Sequence, residues 1–397
     1  MSPVGLSWPE IEANLRAGRN CVRYMSEWDI FAGLNTRLAA AVPAFDLPPQ
    51  YSRKRTRSMG RVALLATRSA ELALEAAGLI DDPVLIGGRT GVAFGSSSGS
   101  PPALSDMARM MLTNSTESVR ANTYIQMMPH TTAVNVSVFF GTTGRLIPTS
   151  SACTSGSLAI GHGYEAIRHG LQTVMICGGA EELSPSQAAV FDTLFATSTQ
   201  NNAPESTPRP FDADRDGMII GEGASAFILE DLDHARARGA PIHAEVVGFG
   251  TNTDGQHVTQ PTAETMAIAM QLALDDAGLS PDAIGYVNAH GTATDLGDVS
   301  ESIATLNALK WPVPISSLKS FMGHTLGACG SIEAWITVEM LKNDWYAPTI
   351  NLLRVDPRCA ELDYIVGGGR TMHLEHVMTN NFAFGGVNTS LVFRRWT

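Results

Sequence analysis

The stretch "PTSSACTSGSLAIGHGYEAI", residues 148–167, joins a short apolar segment to a run with helical periodicity. Cys153 lies at the junction, among small Ser, Ala, Thr and Gly residues. A short apolar segment that leads through a tight turn into a helix is typical of α/β folds. Because unpaired N–H groups and the helix dipole at such a turn favour an anion, we expect a lowered thiol pKa and a nucleophilic Cys153.

The rest of the chain alternates in the same way, which predicts an α/β fold. Apolar segments that predict strands begin at residues 91, 173, 243 and 283, and a closing pair lies within 376–393. Periodic stretches that predict helices begin at residues 156, 264 and 330, and the polar stretch 198–217 predicts a long surface loop. The stretch "PISSLKSFMGHTLGACGSIEAW", residues 314–335, has the same plan as residues 148–167. A duplicated α/β half is therefore one hypothesis, and chance similarity is the other.

Composition limits the class of protein. A chain of 397 residues with 44% hydrophobic and 17% charged residues can bury a large core in two or three domains. The net charge of −12 argues against general nucleic-acid binding. No apolar run has the length of a membrane span and no secretory signal is recognisable, so we expect a cytoplasmic protein. The five cysteines lack CxxC spacing, which predicts neither a zinc site nor a disulfide framework.

One basic cluster interrupts this acidic chain. The stretch "YSRKRTRSMGR", residues 51–61, contains five Lys and Arg residues. Such a cluster is either a solvated face or a docking site for an acidic partner.

Two of the ten histidines lie at predicted element ends. His290 follows an apolar strand in "NAHGTAT", and His324 precedes a helix in "SLKSFMGHTLGACG". Each alone is typical of a structural histidine, but together with Cys153 they suggest a Cys/His/His site. A zinc site is disfavoured because these three residues lack any local ligand pairing.

Four segments occur in the order and at the spacing of a known family: "SSACTSGS" (150–157), "NAHGTATDLGD" (288–298), "SLKSFMGHTLGACGSIEA" (317–334) and "NNFAFGGVNTSLVF" (380–393). They resemble the active-site segments of elongating β-ketoacyl-acyl carrier protein synthases, the condensing enzymes of fatty-acid synthesis. The resemblance implies a thiolase-like fold, in which two fused similar α/β halves form α-β-α-β-α layers. It places the cysteine half at residues 1–240 and the histidine half at residues 241–397.

The resemblance also implies a reaction, the decarboxylative Claisen condensation of an acyl chain with malonyl-acyl carrier protein in fatty-acid, polyene or polyketide elongation. Cys153 would hold the acyl chain as a thioester, while His290 and His324 would serve decarboxylation. That step develops negative charge on a thioester oxygen, which neutral imidazoles can stabilise as donors. For acyl transfer, the family places a separate oxyanion hole at the backbone N–H groups of Cys153 and Phe384.

Further residues carry roles by resemblance. Phe384 gates the acyl pocket, Lys319 is an active-site lysine, and Glu333 and Asp298 are carboxylates that support the site. The substrate-binding positions are Ser98, Phe191, Thr292, Thr294, Phe382, Gly385 and Gly386. The carrier-protein docking positions are Arg53, Lys54 and Arg57. The positions around a structural Na⁺ or K⁺ ion are Asn288, Glu333 and Asn380. No cofactor is required by the resemblance, since phosphopantetheine arrives on the carrier protein.

Two features depart from the family pattern. Family members begin with an apolar strand, whereas "MSPVGLSWPEIEANL" resembles the segment after it, so either the given sequence starts too late to include that strand or the first sheet is completed in another way. The family varies between glycine and a bulky aliphatic residue at the position of Ser98. The small Ser98 predicts an open acyl passage and, with "GGAEEL" at 178–183, favours the type I branch.

Other functions remain open at this stage. A non-catalytic partner resembling a chain-length factor would lack the nucleophile, and the chain retains Cys153, His290, His324 and Lys319. A Cys/His thioester hydrolase would release a free acid instead of a chain longer by two carbons. The resemblance predicts a homodimer, with a heterodimer with a related subunit as the alternative.

Overall fold

Strands and helices form where the apolar and periodic segments of the sequence predict them. The computed structural model describes residues 1–397. The strands are β1 Arg23–Tyr24, β2 Leu38–Ala40, β3 Thr90–Gly95, β4 Leu146–Pro148, β5 Val174–Glu181, β6 Ile220–Gly221, β7 Gly223–Glu230, β8 Ala244–Thr253, β9 Ile284–Asn288, β10 Pro314–Ser316, β11 Trp345–Tyr346, β12 Asp363–Tyr364, β13 Arg370–Thr371, β14 His376–Ala383 and β15 Val387–Arg395. The α-helices are α1 Trp8–Arg16, α2 Arg53–Thr56, α3 Arg61–Ala76, α4 Pro101–Thr113, α5 Thr123–Met127, α6 Thr131–Phe140, α7 Ser155–Arg168, α8 Pro185–Asp192, α9 Leu232–Ala237, α10 Ala263–Ala277, α11 Asp295–Leu309, α12 Lys319–Met322 and α13 Cys329–Asn343.

Two mixed sheets organise the molecule. The first has the strand order β4-β3-β5-β7 and the second has the order β12-β10-β9-β14-β15-β8. In each sheet a run of parallel strands ends in antiparallel pairing, at β5–β7 in the first and at β14–β15–β8 in the second. The two sheets therefore have the same arrangement of parallel strands followed by antiparallel strands.

The two sheets alternate with three layers of helices, which gives five layers in all. Helices α3 and α6 pack on the outer face of the first sheet, and α10 packs on the outer face of the second. Helices α7 and α13 contact each other and both sheets from the middle layer. Most residues of α13 are buried, as expected for a helix that is covered on nearly all sides. The predicted thiolase-like α-β-α-β-α fold is confirmed.

The two central helices cross at paired glycines. A Cβ atom at Gly156 would lie 2.6 Å from the backbone nitrogen of Ser331, and one at Gly330 would lie 2.6 Å from that of Ser157. Gly156-Ser157 and Gly330-Ser331 therefore make reciprocal contacts, as two related halves would. The similarity between residues 148–167 and 314–335 thus has a structural counterpart.

The first sheet ends at an incompletely paired strand. Strand β7 pairs with β5 on one side only, and its other edge lines an apolar cavity of about 680 Å³ between α3 and α13. Met1 exchanges two backbone hydrogen bonds with Ala224 at one end of this edge, with lengths of 2.8 and 2.9 Å. No helix is long and apolar enough to cross a bilayer.

The stretch 198–217 is irregular, as predicted, apart from a 3₁₀ turn at Pro204–Ser206. Its position is only partly as predicted, because Thr207, Phe211 and Asp212 are buried. Phe211 packs into the apolar core of the second half. This loop therefore packs against the second half of the molecule, in addition to covering the surface.

Candidate active site

Cys153 lies between the two halves, at the start of a central helix. The chain leaves β4, passes through the 3₁₀ turn Ala152–Thr154 and enters α7. Ala152 has φ +54°, an unfavourable conformation for a residue with a Cβ atom, and such strain is concentrated at functional turns. The turn leaves Cys153 6% exposed.

His324 is the nearest titratable partner of the thiol. Its Nε2 lies 3.0 Å from Cys153 Sγ, and its Nδ1 accepts the backbone N–H of Leu326 at 3.2 Å. A ring nitrogen that accepts an N–H cannot carry a proton itself. His324 is therefore the Nε2–H tautomer, and it directs a donor at the sulfur.

His290 reaches the same space from the end of β9. Its ring centroid is 5.1 Å from that of His324, and its Nδ1 lies 3.2 Å from Lys319 Nζ. The lysine ammonium can only donate, so His290 is also the Nε2–H tautomer. Glu301 holds the loop below the ring by accepting the N–H groups of His290 and Gly291, each at 2.7 Å.

A buried ion pair supports the two imidazoles. Lys319 Nζ donates to Glu333 Oε1 at 2.5 Å, and the other oxygen of Glu333 accepts the side-chain amide of Asn381 at 2.8 Å. All three side chains are at most 1% exposed. Since both carboxylate oxygens have donors, the lysine is held beside His290.

Protonation at this site follows from burial. Burial raises the pKa of Cys153 to about 12, against the opposing effects of Lys319 and of the backbone N–H groups of Cys153 and Phe384. Burial, reinforced by Lys319, holds the pKa values of His290 and His324 well below their usual range. The expectation of a lowered thiol pKa is wrong, because desolvation outweighs the helix terminus. The resting site holds a thiol and two neutral imidazoles.

These tautomers argue against a zinc site. Ligand atoms of Cys153, His290 and His324 lie within 4.8 Å of one another. Zinc would need the Nε2 lone pairs, yet both Nε2 atoms carry hydrogen because each Nδ1 accepts a hydrogen bond. Donation to an oxyanion suits this arrangement better than metal ligation does.

Phe384 and its glycines border the thiol. The backbone N–H groups of Phe384 and Cys153 both lie close enough to the thiol to lower its pKa. Gly385 and Gly386 follow with φ +85° and +70°, which glycine adopts without strain. The Phe384 ring lies 5.2 Å from that of Phe191, between centroids. Phe384 can thus provide a backbone donor and an aromatic wall at one point.

The remaining substrate-binding positions lie on several sides of the centre. The Phe382 ring is 6.1 Å from that of His290. Thr292 and Thr294 share a hydrogen bond of 2.8 Å on the loop after His290, and Asp298 accepts the N–H of Ala293 in that loop at 3.0 Å. The predicted pantetheine-binding threonines therefore lie on the same loop as a candidate catalytic histidine.

Ser98 is part of a polar network that the sequence did not reveal. Its hydroxyl donates to Glu181 Oε1 at 3.1 Å and accepts from Gln187 Nε2 at 3.0 Å. Glu181 also accepts the N–H groups of Ser97 and Gly327, both at 2.9 Å. The small residue predicted to leave a passage open is thus fixed by two buried polar side chains.

The predicted cation positions include donor-free oxygens. Asn288 Oδ1 and Asn380 Oδ1 are buried without a hydrogen-bond partner, on the adjacent strands β9 and β14. Asn288 donates to Thr379 at 3.1 Å, and Asn380, the next residue of β14, points to the opposite face, so these two side-chain oxygens do not converge on one ion. Glu333 fits less well, because both of its oxygens already accept hydrogen bonds.

The predicted docking residues lie on the surface, on and directly after α2. Arg53 and Lys54 belong to α2 and Arg57 follows it, and all three side chains are exposed. None of the three forms an ion pair within the chain. Arg55, in the same cluster, instead covers the ring of Phe139 at 3.7 Å. The cluster thus contains one arginine that packs on an aromatic ring and three charged side chains that form no ion pair.

Four supporting residues were missed by sequence reasoning: Glu181, Gln187, Glu301 and Asn381. Asn381 had a detectable signal, since Asn380 and Asn381 are consecutive in a strand and so point to opposite faces. One of the two therefore had to face away from the predicted cation position. The hydrogen bond between Asn381 and Glu333 shows that Asn380 is the one that faces away from Glu333.

Comparisons with known proteins agree along the whole chain. The model of the β-ketoacyl synthase N-terminal domain matches residues 1–235, and that of the C-terminal domain matches residues 243–353. The 3-oxoacyl-[acyl-carrier-protein] synthase 2 of Vibrio cholerae is 38% identical over 403 residues, which cover 100% of this chain and 97% of that protein.

Solved structures agree as well. A β-ketoacyl synthase from Burkholderia phymatum has 60% identity and a TM-score of 0.98, covering 100% of this chain and 97% of the other. The ishigamide ketosynthase/chain length factor has 29% identity and a TM-score of 0.89 at the same coverage.

Proposed function

The chain belongs to the β-ketoacyl synthase family, and from this premise we propose that it extends an acyl chain, held as a thioester on Cys153, by decarboxylative condensation with malonyl-acyl carrier protein. One observation carries the assignment of residues. Two neutral imidazoles, both with hydrogen on Nε2, converge on a space beside a buried thiol.

Acyl transfer comes first. The sulfur of Cys153 attacks the carbonyl carbon of an acyl-carrier thioester, and the new oxyanion accepts the N–H groups of Cys153 and Phe384. The bond to the carrier sulfur then breaks, and the carrier thiol leaves with the proton that Cys153 has lost. Donation from His324 Nε2 stabilises the sulfur as it gains negative charge.

Decarboxylation follows. The thioester oxygen of malonyl-carrier protein accepts from His290 Nε2 and His324 Nε2, the bond to the carboxylate carbon breaks, and CO₂ leaves. Both donors strengthen as the enolate develops, because its charge accumulates on that oxygen. Lys319 keeps His290 neutral and oriented through Nδ1. The enolate carbon then attacks the acyl carbonyl on Cys153, the bond from that carbonyl carbon to Sγ breaks, and the released thiolate takes up a proton from solvent.

The carrier protein is proposed to dock at α2. Arg53, Lys54 and Arg57 are exposed and free of ion pairs, so they can attract an acidic partner at long range. The name of the Vibrio cholerae relative supports a carrier-bound substrate. Phosphopantetheine would arrive on that carrier, with no further cofactor. A structural Na⁺ or K⁺ ion at Asn288, Glu333 and Asn380 stays a prediction from the resemblance, and the cytoplasm is the proposed location.

A homodimer is the proposed assembly. Strand β4 is the outer strand of the first sheet, and its Leu146 is 41% exposed. Val138 on α6, which packs against β4, is 73% exposed. An unpaired edge with apolar neighbours is suited to pairing with another chain. A heterodimer is the alternative, supported by the similar ketosynthase/chain length factor structure.

Product analysis tests the proposed function. The chain is incubated with acyl- and malonyl-carrier proteins, and the carrier-bound products are measured by mass. A β-ketoacyl chain longer by two carbons is the expected product, with a covalent acyl adduct on wild type and none on Cys153→Ala. Free acid alone would indicate a hydrolase, and no turnover by a folded chain would indicate a non-catalytic partner.

A further inference from the structure

Asn381 is a buried side chain beneath His290 that the mechanism above does not use. It lies on β14 and is fully buried. Its amide nitrogen is 2.8 Å from Glu333 Oε2, 3.4 Å from His290 Nδ1 and 3.7 Å from Cys329 Sγ. Asn381 thus contacts both the carboxylate that holds Lys319 and the ring that Lys319 orients.

The orientation of this amide follows from its neighbours. Glu333 accepts through both oxygens, so the NH₂ end of Asn381 must face it, because the reverse orientation would oppose two oxygens. The shortest contact uses one amide hydrogen for Glu333, which leaves the second for His290 Nδ1. In this orientation Asn381 Oδ1 is buried without a hydrogen-bond partner.

Nδ1 of His290 therefore faces two donors, Lys319 and Asn381. Lys319 donates one ammonium hydrogen to Glu333 at 2.5 Å and directs another at His290 at 3.2 Å. Asn381 provides a second donor on a rigid strand. A proton on Nδ1 would oppose both donors, whereas a proton on Nε2 leaves the Nδ1 lone pair for the two donors to share.

We propose that Asn381 is a positioning residue that holds His290 in the Nε2–H tautomer, by donating to Nδ1 and by tethering the Glu333 carboxylate. This inference rests on the proposed function, in which His290 Nε2–H donates to the malonyl thioester oxygen. Asn381 touches no reacting atom. Its loss should therefore affect decarboxylation more than acyl transfer to Cys153, which uses the other oxyanion hole.

The first test compares partial reactions. In Asn381→Ala, malonyl-carrier decarboxylation should fall roughly tenfold, the scale of one lost hydrogen bond, while single-turnover acylation of Cys153 changes less than about threefold. Asn381→Ser, which retains a hydroxyl donor, should recover part of the loss. Asn135→Ala is the matched control, because Asn135 is also a buried, hydrogen-bonded asparagine but lies on α6, bonded to Ser58 and Thr131.

The second test reads the tautomer directly. Nitrogen NMR of histidine-labelled protein should show His290 protonated on Nε2 in wild type, with Nδ1–H appearing in Asn381→Ala and increasing in Asn381→Ala/Lys319→Met. The resonance is assigned with His290→Gln, and thermal unfolding identifies variants that fail to fold. An unchanged tautomer in both variants, or an equal loss in both partial reactions, would overturn the proposal. If wild type failed to condense while the tautomer still responded, the proposed function would be wrong and the positioning role would stand.

Discussion

Nε2 of His324 lies 3.0 Å from Sγ of Cys153, with the Leu326 N–H fixed on the opposite ring nitrogen. One N–H group therefore faces the sulfur before acylation. In the proposed mechanism the same group faces the malonyl oxygen afterwards. Acylation makes this change of partner possible, because a neutral thioester sulfur is a weaker acceptor than a developing thiolate. The order of the two half-reactions is thus consistent with the geometry of a single donor.

The raised pKa of Cys153 predicts a steep pH dependence of its reactivity. With a pKa of about 12, the thiolate fraction increases tenfold for each pH unit between 7 and 9. Alkylation by iodoacetamide, which is uncharged, should increase in the same proportion, as measured by mass spectrometry of the Cys153 peptide. Lys319→Met should slow it further, because Lys319 lowers this pKa. A plateau below pH 8 would mean that the helix terminus, not burial, controls the thiol.

The two histidines should differ in their effect on acylation. His290→Ala and His324→Ala should each slow condensation by about 10² to 10³, the cost of one oxyanion-hole donor. Acylation should be slower in His324→Ala than in His290→Ala, because His324 alone hydrogen-bonds the sulfur. Single-turnover acylation and malonyl decarboxylation are measured separately. Equal acylation rates in the two variants would contradict the proposed role of the contact between His324 and Cys153.

Ser98 tests the acyl passage. Ser98→Ile adds bulk and removes the hydroxyl that bonds to Glu181 and Gln187, whereas the control Ser98→Ala removes only the hydroxyl. If Ser98 lines the passage, Ser98→Ile should lower the rate for long acyl-carrier proteins relative to short ones, and Ser98→Ala should not. Overpacking commonly costs about 1–3 kcal/mol, so unfolding is measured alongside the rates. The same ratio in both folded variants would place Ser98 outside the passage.

Charge reversal tests the docking surface. Replacing Arg53, Lys54 and Arg57 by Glu should raise KM for carrier-bound substrates severalfold and leave small acyl thioesters nearly unaffected. The difference should shrink as salt approaches 1 M, where the Debye length is about 3 Å. Arg55→Glu is not an equivalent control, because Arg55 packs on Phe139 and its loss should reduce stability. Equal losses on both substrate classes would indicate a structural role for the cluster.

The fold class and the proposed trio of Cys153, His290 and His324 were predictable from the amino-acid sequence. The alternation of apolar and periodic segments reports local structure, and the strands predicted near residues 91, 173, 243 and 283 form within two residues of those points. Cys153, His290 and His324 were recognisable because each lies in a distinctive local segment that ends a strand or begins a helix. Each histidine alone is typical of a structural role, so their roles beside Cys153 were predicted from the resemblance of the four segments to the condensing-enzyme family.

The protonation states of Cys153 and His290, and the residues that hydrogen-bond to the site, could be read only from the tertiary structure. The pKa of Cys153 depends on desolvation by both halves, and this outweighs the helix-terminus effect visible in the sequence. The tautomer of His290 depends on Lys319 and Asn381, which are 29 and 91 residues away along the chain. Ser98 likewise meets Glu181 across 83 residues. Burial and long-range hydrogen bonds arise from how strands register and helices cross, and a local sequence pattern does not contain that information.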